Sequence, residues 1–287
     1  MQPAKNNFNK DSNQAPTLKS ADYATFCSYL ERESGITLGA NKEYLVSSRL
    51  NSIMSQNGIR CFSELVPKMQ SSKFFRQLVL DAMTTNETSW FRDKYPYEVL
   101  YEKLLAEFGK QKKREIRIWS AACSTGQEPY SISMIVSEFL SRNPGTLSST
   151  SVRILGTDLS SSVVKQAQNA EYESLALIRG LSDERRQRFF KSTGTKSQVI
   201  EEVRSRVSFR ELNLKDSYLL LGKFDIIFCR NVLIYFTPEL KVDIVNRMTQ
   251  ALNPGGFLIL GGAESISGLT ERFELVRWKN GLIYQLK

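Results

Sequence analysis

The 287-residue sequence contains no histidine. That excludes a Ser-His-Asp or Cys-His relay of the usual kind, and any acid or base must be a carboxylate, Tyr, Lys or Cys. Cysteine is scarce and scattered, at Cys27, Cys61, Cys123 and Cys229. No C-x-x-C pair exists, and no histidine completes a zinc set, so no metal is expected. Free cysteines are usually buried, so four buried reduced thiols are expected. No apolar run approaches the roughly 18 residues of a membrane span. The first twenty residues are rich in Asn, Ser and Lys and lack a signal-peptide core, so residues 1–19 are expected to be a disordered tail and the protein cytoplasmic.

The glycine-rich phosphate loops are missing too. Ile116-Arg117-Ile118-Trp119-Ser120-Ala121-Ala122-Cys123-Ser124-Thr125-Gly126-Gln127-Glu128-Pro129-Tyr130 reads as a strand, a tight turn and a helix opening at Pro129. It carries neither G-x-G-x-x-G nor G-K-[ST], and Gly126 is the only glycine of the turn. Such a turn suits a nucleoside ligand without a pyrophosphate.

What is present begins with charge. The net charge of +9 favours an anionic partner. The excess is concentrated between Arg179 and Arg210, where nine Lys/Arg face four acids. This window is expected to dock a partner, with Arg185, Arg186 and Arg188 as its leading cations.

Residues 20–83 follow helical periodicity. Tyr23, Phe26, Cys27 and Leu30 share one face, and further helices fit Asn41 to Gln56, Cys61 to Met69 and Ser72 to Met83. Residues 84–115 form a linker with a helix from Tyr95 to Phe108 and a basic connector, Lys110 to Arg114. From residue 116 the period changes. Strands fit Ile116–Ser120, Val152–Thr157, Phe224–Cys229 and Gly256–Leu260, each an apolar run of the kind buried in a parallel sheet. Helices alternate with them, one opened by Thr237-Pro238 and closed by Asn253-Pro254-Gly255. Phe273–Trp278 and Leu282–Gln285 form a hairpin turning at Asn280-Gly281. An insertion near 171–212 interrupts this order with a charged helix, Leu181–Lys191, and short strands at Gln198–Val203 and Val207–Leu212.

Three constellations carry chemistry. Asp158 ends the second strand, where a carboxylate can accept hydrogen bonds from a ribose diol or cap the helix begun by Ser160. Glu128 stands at a helix start, where it complements the dipole or meets a ligand ammonium or hydroxyl. Arg230 and Asn231 end another apolar strand, and Tyr235 follows four residues after Asn231. A charged group there must be paired or solvated, by a ligand or by a structural ion pair.

Thr85-Asn86-Glu87-Thr88-Ser89-Trp90-Phe91-Arg92, Trp119 to Tyr130, Gly156-Thr157-Asp158 and Cys229 to Phe236 together resemble the chemotaxis-receptor glutamate methyltransferases of the CheR type. The resemblance runs from about Ala21 to Lys287. It implies an α/β fold of the Rossmann-like class I methyltransferase kind. That fold has a mostly parallel sheet with a C-terminal antiparallel hairpin, preceded by a small all-helical domain and interrupted by an inserted subdomain. It implies S-adenosylmethionine as cofactor and S-adenosylhomocysteine as product. By resemblance, cofactor contacts fall on Asn86, Thr88, Arg92, Glu128, Asp158, Asn213, Leu214, Arg230 and Asn231, and the catalytic pair is Arg92 and Tyr235. The implied partner is the cytoplasmic domain of methyl-accepting chemotaxis receptors, with no nucleic acid and no membrane insertion, and the enzyme is expected to be a monomer. An adaptor that binds the cofactor without catalysis and a nucleic-acid methyltransferase are the alternatives. Against the latter stand the absence of N-P-P-[YF] and of a Pro before Cys123 or Cys229.

Overall fold

The computed structural model describes residues 18–147, 150–279 and 281–287. The expected tail, apart from its last two residues, and the expected Asn280 turn residue lie outside the described residues. The chain divides into two compact units, one of the described residues up to Tyr29 with Leu38–Met83, the other of Leu30–Thr37 with Thr84–Lys287.

The first unit is helical. Glu43–Gln56, Leu65–Ser71 and Lys73–Met83 are α-helices, with a 3-10 turn at Phe62–Glu64. Phe26, Val46, Leu50, Met54, Leu65, Phe75 and Val79 fill its core. The helix Ser20–Ser34 buries Tyr23, Phe26 and Leu30, whereas Cys27 is half-buried and Cys61 exposed. The expectation of four buried thiols is corrected: a polar helix face and the 3-10 turn leave these two accessible, and only Cys123 and Cys229 are enclosed.

The second unit is built on ten strands. These are β1 Glu115–Ala121, β2 Ser151–Asp158, β3 Glu171–Glu173, β4 Phe190–Thr193, β5 Lys196–Val199, β6 Val207–Glu211, β7 Phe224–Cys229, β8 Leu252–Leu260, β9 Phe273–Trp278 and β10 Gly281–Leu286. Seven form one sheet in the order β6-β2-β1-β7-β8-β10-β9. Pairing is parallel through β8, and the β9–β10 hairpin closes the sheet antiparallel. Alternate residues feed two apolar layers. Ile116, Ile118, Ile154, Ile226, Phe228, Phe257 and Ile259 face one; Trp119, Ala121, Leu155, Ile227, Leu258 and Leu260 face the other. This is the two-faced burial that continuous apolar strands demand.

Several boundaries differ from the sequence expectation. The helix after β1 starts at Gln127, because Gly126 takes the left-handed conformation at its N-cap, so Pro129 falls at its third residue. Asn253-Pro254-Gly255 does not follow the helix as a loop. It lies inside β8, where a register shift against β7 absorbs it. The charged helix is shorter, Asp183–Phe189, and Val203 is helical rather than extended. Strand β6 belongs to the main sheet, pairing parallel with β2 from Ile154↔Val207 to Asp158↔Glu211. The small sheet is therefore only β3-β5-β4, antiparallel throughout.

The segment 84–115 is not a spacer. Trp90, Tyr97, Leu100, Leu104, Leu105 and Phe108 are buried in the same layer as Ile116 and Ile118. Within the basic connector, Lys113 pairs with the buried Asp225. Among the described residues no helix is long and apolar enough to cross a membrane.

Candidate functional site

In this sheet the chain runs outward from β1 to β2 and β6, then crosses back to β7 and β8 on the other side. Ligands of open α/β sheets bind at such a reversal, outside the carboxyl ends of the strands. Three strand ends meet the requirement here: Ala121 of β1, Asp158 of β2 and Cys229 of β7.

The backbone at these exits is unusual. Ala122, Ser124 and Gly126 have φ of 65, 51 and 93°, and Asn231 after β7 has 57°. Phe91, Asp93 and Lys94 are also left-handed, at 48, 66 and 51°. Non-glycine residues adopt this region at a cost of order 1–3 kcal/mol each, and such residues cluster at functional sites. Only Gly126 tolerates it freely, and a Cβ there would come within 2.9 Å of the Ala167 Cβ.

Three N–H groups of the 122–126 turn are already committed. Cys123 donates to the Thr157 carbonyl at 2.9 Å, Ser124 to Asp158 Oδ2 at 2.8 Å and Gly126 to the Cys123 carbonyl at 3.1 Å. A phosphate cradle needs such donors turned outward. This turn offers a ligand carboxylate acceptors instead.

Asp158 is buried, and its Oδ1 accepts from Ser160 N at 3.0 Å. Ser160 itself is the N-cap of the next helix, so Asp158 is not its cap. Glu128, in the first turn of the helix Gln127–Arg142, accepts from Ser120 Oγ at 2.7 Å and from Arg230 Nη1 at 2.7 Å. Arg230 Nη2 also donates to the Arg92 carbonyl and to Asp93 Oδ2, both at 2.7 Å. Burial opposes charge on Arg230, but the Glu128 carboxylate, helped by Asp93, overrides it and raises the pKa of the guanidinium. The structural ion pair considered for Arg230 is thus present, and it ties together three segments of the site.

The other expected residues are distributed around this knot. Arg92 is half-buried and donates from Nη1 to the Glu87 carbonyl at 3.1 Å, while the Glu87 side chain pairs with Arg179 at 2.5 Å. The Asn86 carbonyl accepts from Ser124 Oγ at 3.0 Å, joining the 86–92 segment to the β1 turn. Thr88 lies half-buried in the same segment. Asn213 and Leu214 follow β6, beside the end of β2. The Asn213 amide is occupied, donating to the Glu33 carbonyl at 2.8 Å and accepting from Lys215 N at 3.0 Å. Leu214 is buried. Asn231 and Tyr235 are half-buried on the loop leaving β7. Among the described residues no hydrogen bond joins the side chains of Arg92 and Tyr235; they share the β7 exit, where Arg230 holds the Arg92 carbonyl.

Sequence inspection missed Ser120, Asp93, Thr37 and Glu264. Ser120 left a signal, a polar residue at the end of an apolar strand. Glu264 left none, because three of its four partners are backbone groups more than thirty residues upstream.

Both enclosed thiols are inert. Burial, then Asp158 and Glu128, raise the Cys123 pKa well above its ordinary value; burial, then Glu264 and Glu128, do the same for Cys229. Neither supplies a thiolate nucleophile at neutral pH.

The basic window is largely satisfied within the chain. Arg179, Arg185, Arg186, Lys196, Arg204 and Arg206 pair with Glu87, Glu138, Asp183, Glu173, Glu201 and Glu202. Arg185 makes a two-toothed contact with Glu138 at 2.8 and 2.9 Å and stacks 3.8 Å over Phe91. Within the chain, Arg185 braces the helix Gln127–Arg142 against the 84–115 segment.

Comparison with known proteins agrees with this geometry. Residues 86–282 match the family model described as CheR methyltransferase, SAM binding domain, and residues 21–84 the one described as CheR methyltransferase, all-alpha domain. Chemotaxis protein methyltransferase 1 of Pseudomonas aeruginosa is 51% identical over 270 residues, covering 93% of this chain and 98% of that protein. The chemotaxis protein methyltransferase of Vibrio parahaemolyticus is 49% identical, covering 95% and 99%. That of Salmonella typhimurium is 31% identical, covering 91% and 90%.

Proposed function

The chain belongs to the CheR methyltransferase family and is an S-adenosylmethionine-dependent methyltransferase of chemotaxis, and from that premise we propose that its acceptors are glutamate side chains on the cytoplasmic domains of chemotaxis receptors. The observation that carries the cofactor part of this proposal is the buried Asp158 closing a turn in which the N–H groups of Cys123, Ser124 and Gly126 are spent. Such a donor set fits a ligand that brings hydroxyls and an ammonium and no phosphate. Asp158 and Glu128 would hold these groups, with Asn86, Thr88, Asn213, Leu214 and Asn231 around them. Arg230 serves by fixing Glu128 and the 92–93 backbone. When bound, S-adenosylmethionine supplies a methyl group made electrophilic by a sulfonium charge.

The chain's own task is then orientation. A glutamate side chain has a pKa of about 4.3 and is ionised at neutral pH, so no general base is required of a protein without histidine. We assign Arg92 and Tyr235 to hold the acceptor carboxylate. Their hydrogen bonds keep it charged in a partly desolvated site, where burial alone would raise its pKa. Fixing the reacting groups in line is a large source of rate in such reactions.

The test uses methyl-labelled cofactor and receptor cytoplasmic fragments. Label that leaves as methanol in mild base identifies a carboxyl ester; base-stable label, or label on RNA only, overturns the acceptor assignment. Arg92→Ala is expected to lower turnover about a hundredfold, the scale of a lost transition-state donor, with the melting temperature unchanged. Wild-type turnover in that variant removes Arg92 from the reaction.

A further inference from the structure

The hydrogen bonds that hold Tyr235 are made by its backbone. Among the described residues its hydroxyl has no hydrogen-bond partner and its ring no aromatic neighbour. Yet the arc that delivers it, Asn231 to Tyr235, is pinned at both ends.

At the upstream end stands Glu264, from the turn after β8. Its Oε2 accepts from Asn231 N at 2.5 Å and Gly261 N at 2.9 Å, and its Oε1 accepts from Val232 N at 3.0 Å and Leu233 N at 2.9 Å. Four backbone donors converge on one carboxylate. Successive N–H groups that point inward around a left-handed residue form an anion-binding concavity. Here that residue is Asn231, at φ 57°, and the anion is supplied by the chain itself. The carboxylate thereby stabilises a backbone conformation that an asparagine adopts only at a cost.

At the downstream end stands Thr37. Its N–H and its Oγ1 both donate to the Tyr235 carbonyl, each at 2.9 Å. Between the two anchors the arc closes on itself, with Tyr235 N donating to the Val232 carbonyl at 3.1 Å and Phe236 N to the Leu233 carbonyl at 3.1 Å. No bond of this set touches the phenol, and every one of them constrains where the phenol can stand.

We propose that Glu264 and Thr37 are positioning residues for Tyr235, which hold the Asn231–Tyr235 arc so that the phenol meets the acceptor carboxylate. This rests on the assignment of Tyr235 to the acceptor made above. Orientation effects are sensitive to displacements of about 1 Å, so a loosened arc lowers turnover without touching the cofactor. The two anchors differ in what their loss does. Thr37→Val removes one of two bonds to the Tyr235 carbonyl and keeps the shape of the side chain. Glu264→Gln turns an amide NH2 toward backbone N–H groups, so donors face donors on one side of the concavity.

A double-mutant cycle tests the proposal. Turnover number and KM for receptor fragments, and cofactor affinity by calorimetry, are measured for Thr37→Val, Thr37→Ser and Tyr235→Phe, and for Thr37→Val combined with Tyr235→Phe. Thr37→Val is expected to lower kcat about tenfold, the equivalent of one hydrogen bond, with cofactor affinity unchanged. Thr37→Ser, which keeps the hydroxyl, restores kcat. In the Tyr235→Phe background Thr37→Val has no further effect, because the group it positions is gone. Glu264→Gln follows the same pattern wherever it retains the wild-type melting temperature. Full additivity, with the same loss from Thr37→Val in both backgrounds, overturns the proposal and leaves a structural role. An unchanged kcat in Thr37→Val alone also overturns it. Wild-type kcat in Tyr235→Phe overturns instead the assignment of Tyr235, and the inference falls with it.

Discussion

At the scale of single residues the site is organised by Arg230. Its side chain is 2% exposed, and it bonds at once to Glu128, to Asp93 and to the Arg92 carbonyl. Removing one member of a buried ion pair leaves an uncompensated charge, which costs more than the pair contributes. Arg230→Met is therefore expected to destabilise the fold by about 3 kcal/mol, the lower part of the usual range, because Asp93 remains partly solvated. The urea midpoint measures this, and Glu128→Gln in the same background should recover part of the loss. Arg230 and Glu128 were each legible in the sequence, one as a charge at a strand end and the other at a helix start. Their pairing was not, because 102 residues separate them and only the sheet brings them together. Glu264 was less legible still, since its partners are backbone groups that carry no sequence signal.

At the scale of elements, Trp90 packs the small inserted sheet against the 84–115 segment, and Tyr172 of β3 ties it to the turn after β1, its hydroxyl donating to the Thr125 carbonyl at 2.7 Å. Trp90 is fully buried between Tyr172 of β3 and Phe190 of β4, with ring centroids 4.9 and 5.2 Å away. Its Nε1 donates to the Ala176 carbonyl at 3.0 Å and its backbone N to the Arg179 carbonyl at 3.2 Å. Gly180 follows, so close that a Cβ there would lie 2.0 Å from the Trp90 carbonyl oxygen. Trp90→Ala should cost about 3–5 kcal/mol and raise amide exchange in β3, β4 and β5 before the main sheet is affected. Exchange that rises evenly across both sheets would contradict that order. The sequence made the main strands legible because each is an apolar run longer than its flanking turns. It misplaced β6 in the insertion because that strand lies at the sheet edge, with Ser208, Arg210 and Glu211 exposed, and so lacks the signature of a buried strand. The bracing by Arg185 was hidden for a different reason: charge clusters read alike whether they face solvent or the chain's own carboxylates.

At the scale of the whole molecule, burial of tyrosine sets the alkaline limit. Tyr97, Tyr130, Tyr172 and Tyr218 all have pKa values raised chiefly by burial. Their unfolded value is about 10. A folded pKa raised above the unfolded one contributes stability that is complete below the unfolded pKa and is lost as pH rises toward the folded one. Stability should thus begin to decline above about pH 8, where the unfolded thiols of Cys123 and Cys229 ionise, and fall more steeply above about pH 10, where the unfolded tyrosines ionise. Tyrosinate absorbance should show these four ionising together with loss of the near-ultraviolet circular dichroism. Independent titration of all eleven tyrosines in the native state would contradict it. The net charge of +9 reads differently at this scale as well. Much of the basic window between Arg179 and Arg210 is neutralised internally, so steering by that window is weaker than its composition implies.

The turn after β1 has one more consequence, in competition. Nucleotides share the adenosine of the proposed cofactor and differ from it in carrying a polyanion. On the proposed assignment, a triphosphate entering between β1 and β2 would meet two carboxylates, Asp158 and Glu128, and a turn whose donors at Cys123, Ser124 and Gly126 are occupied. Rejection is then built from the same bonds that hold the turn in shape, and selectivity against ATP needs no additional residue.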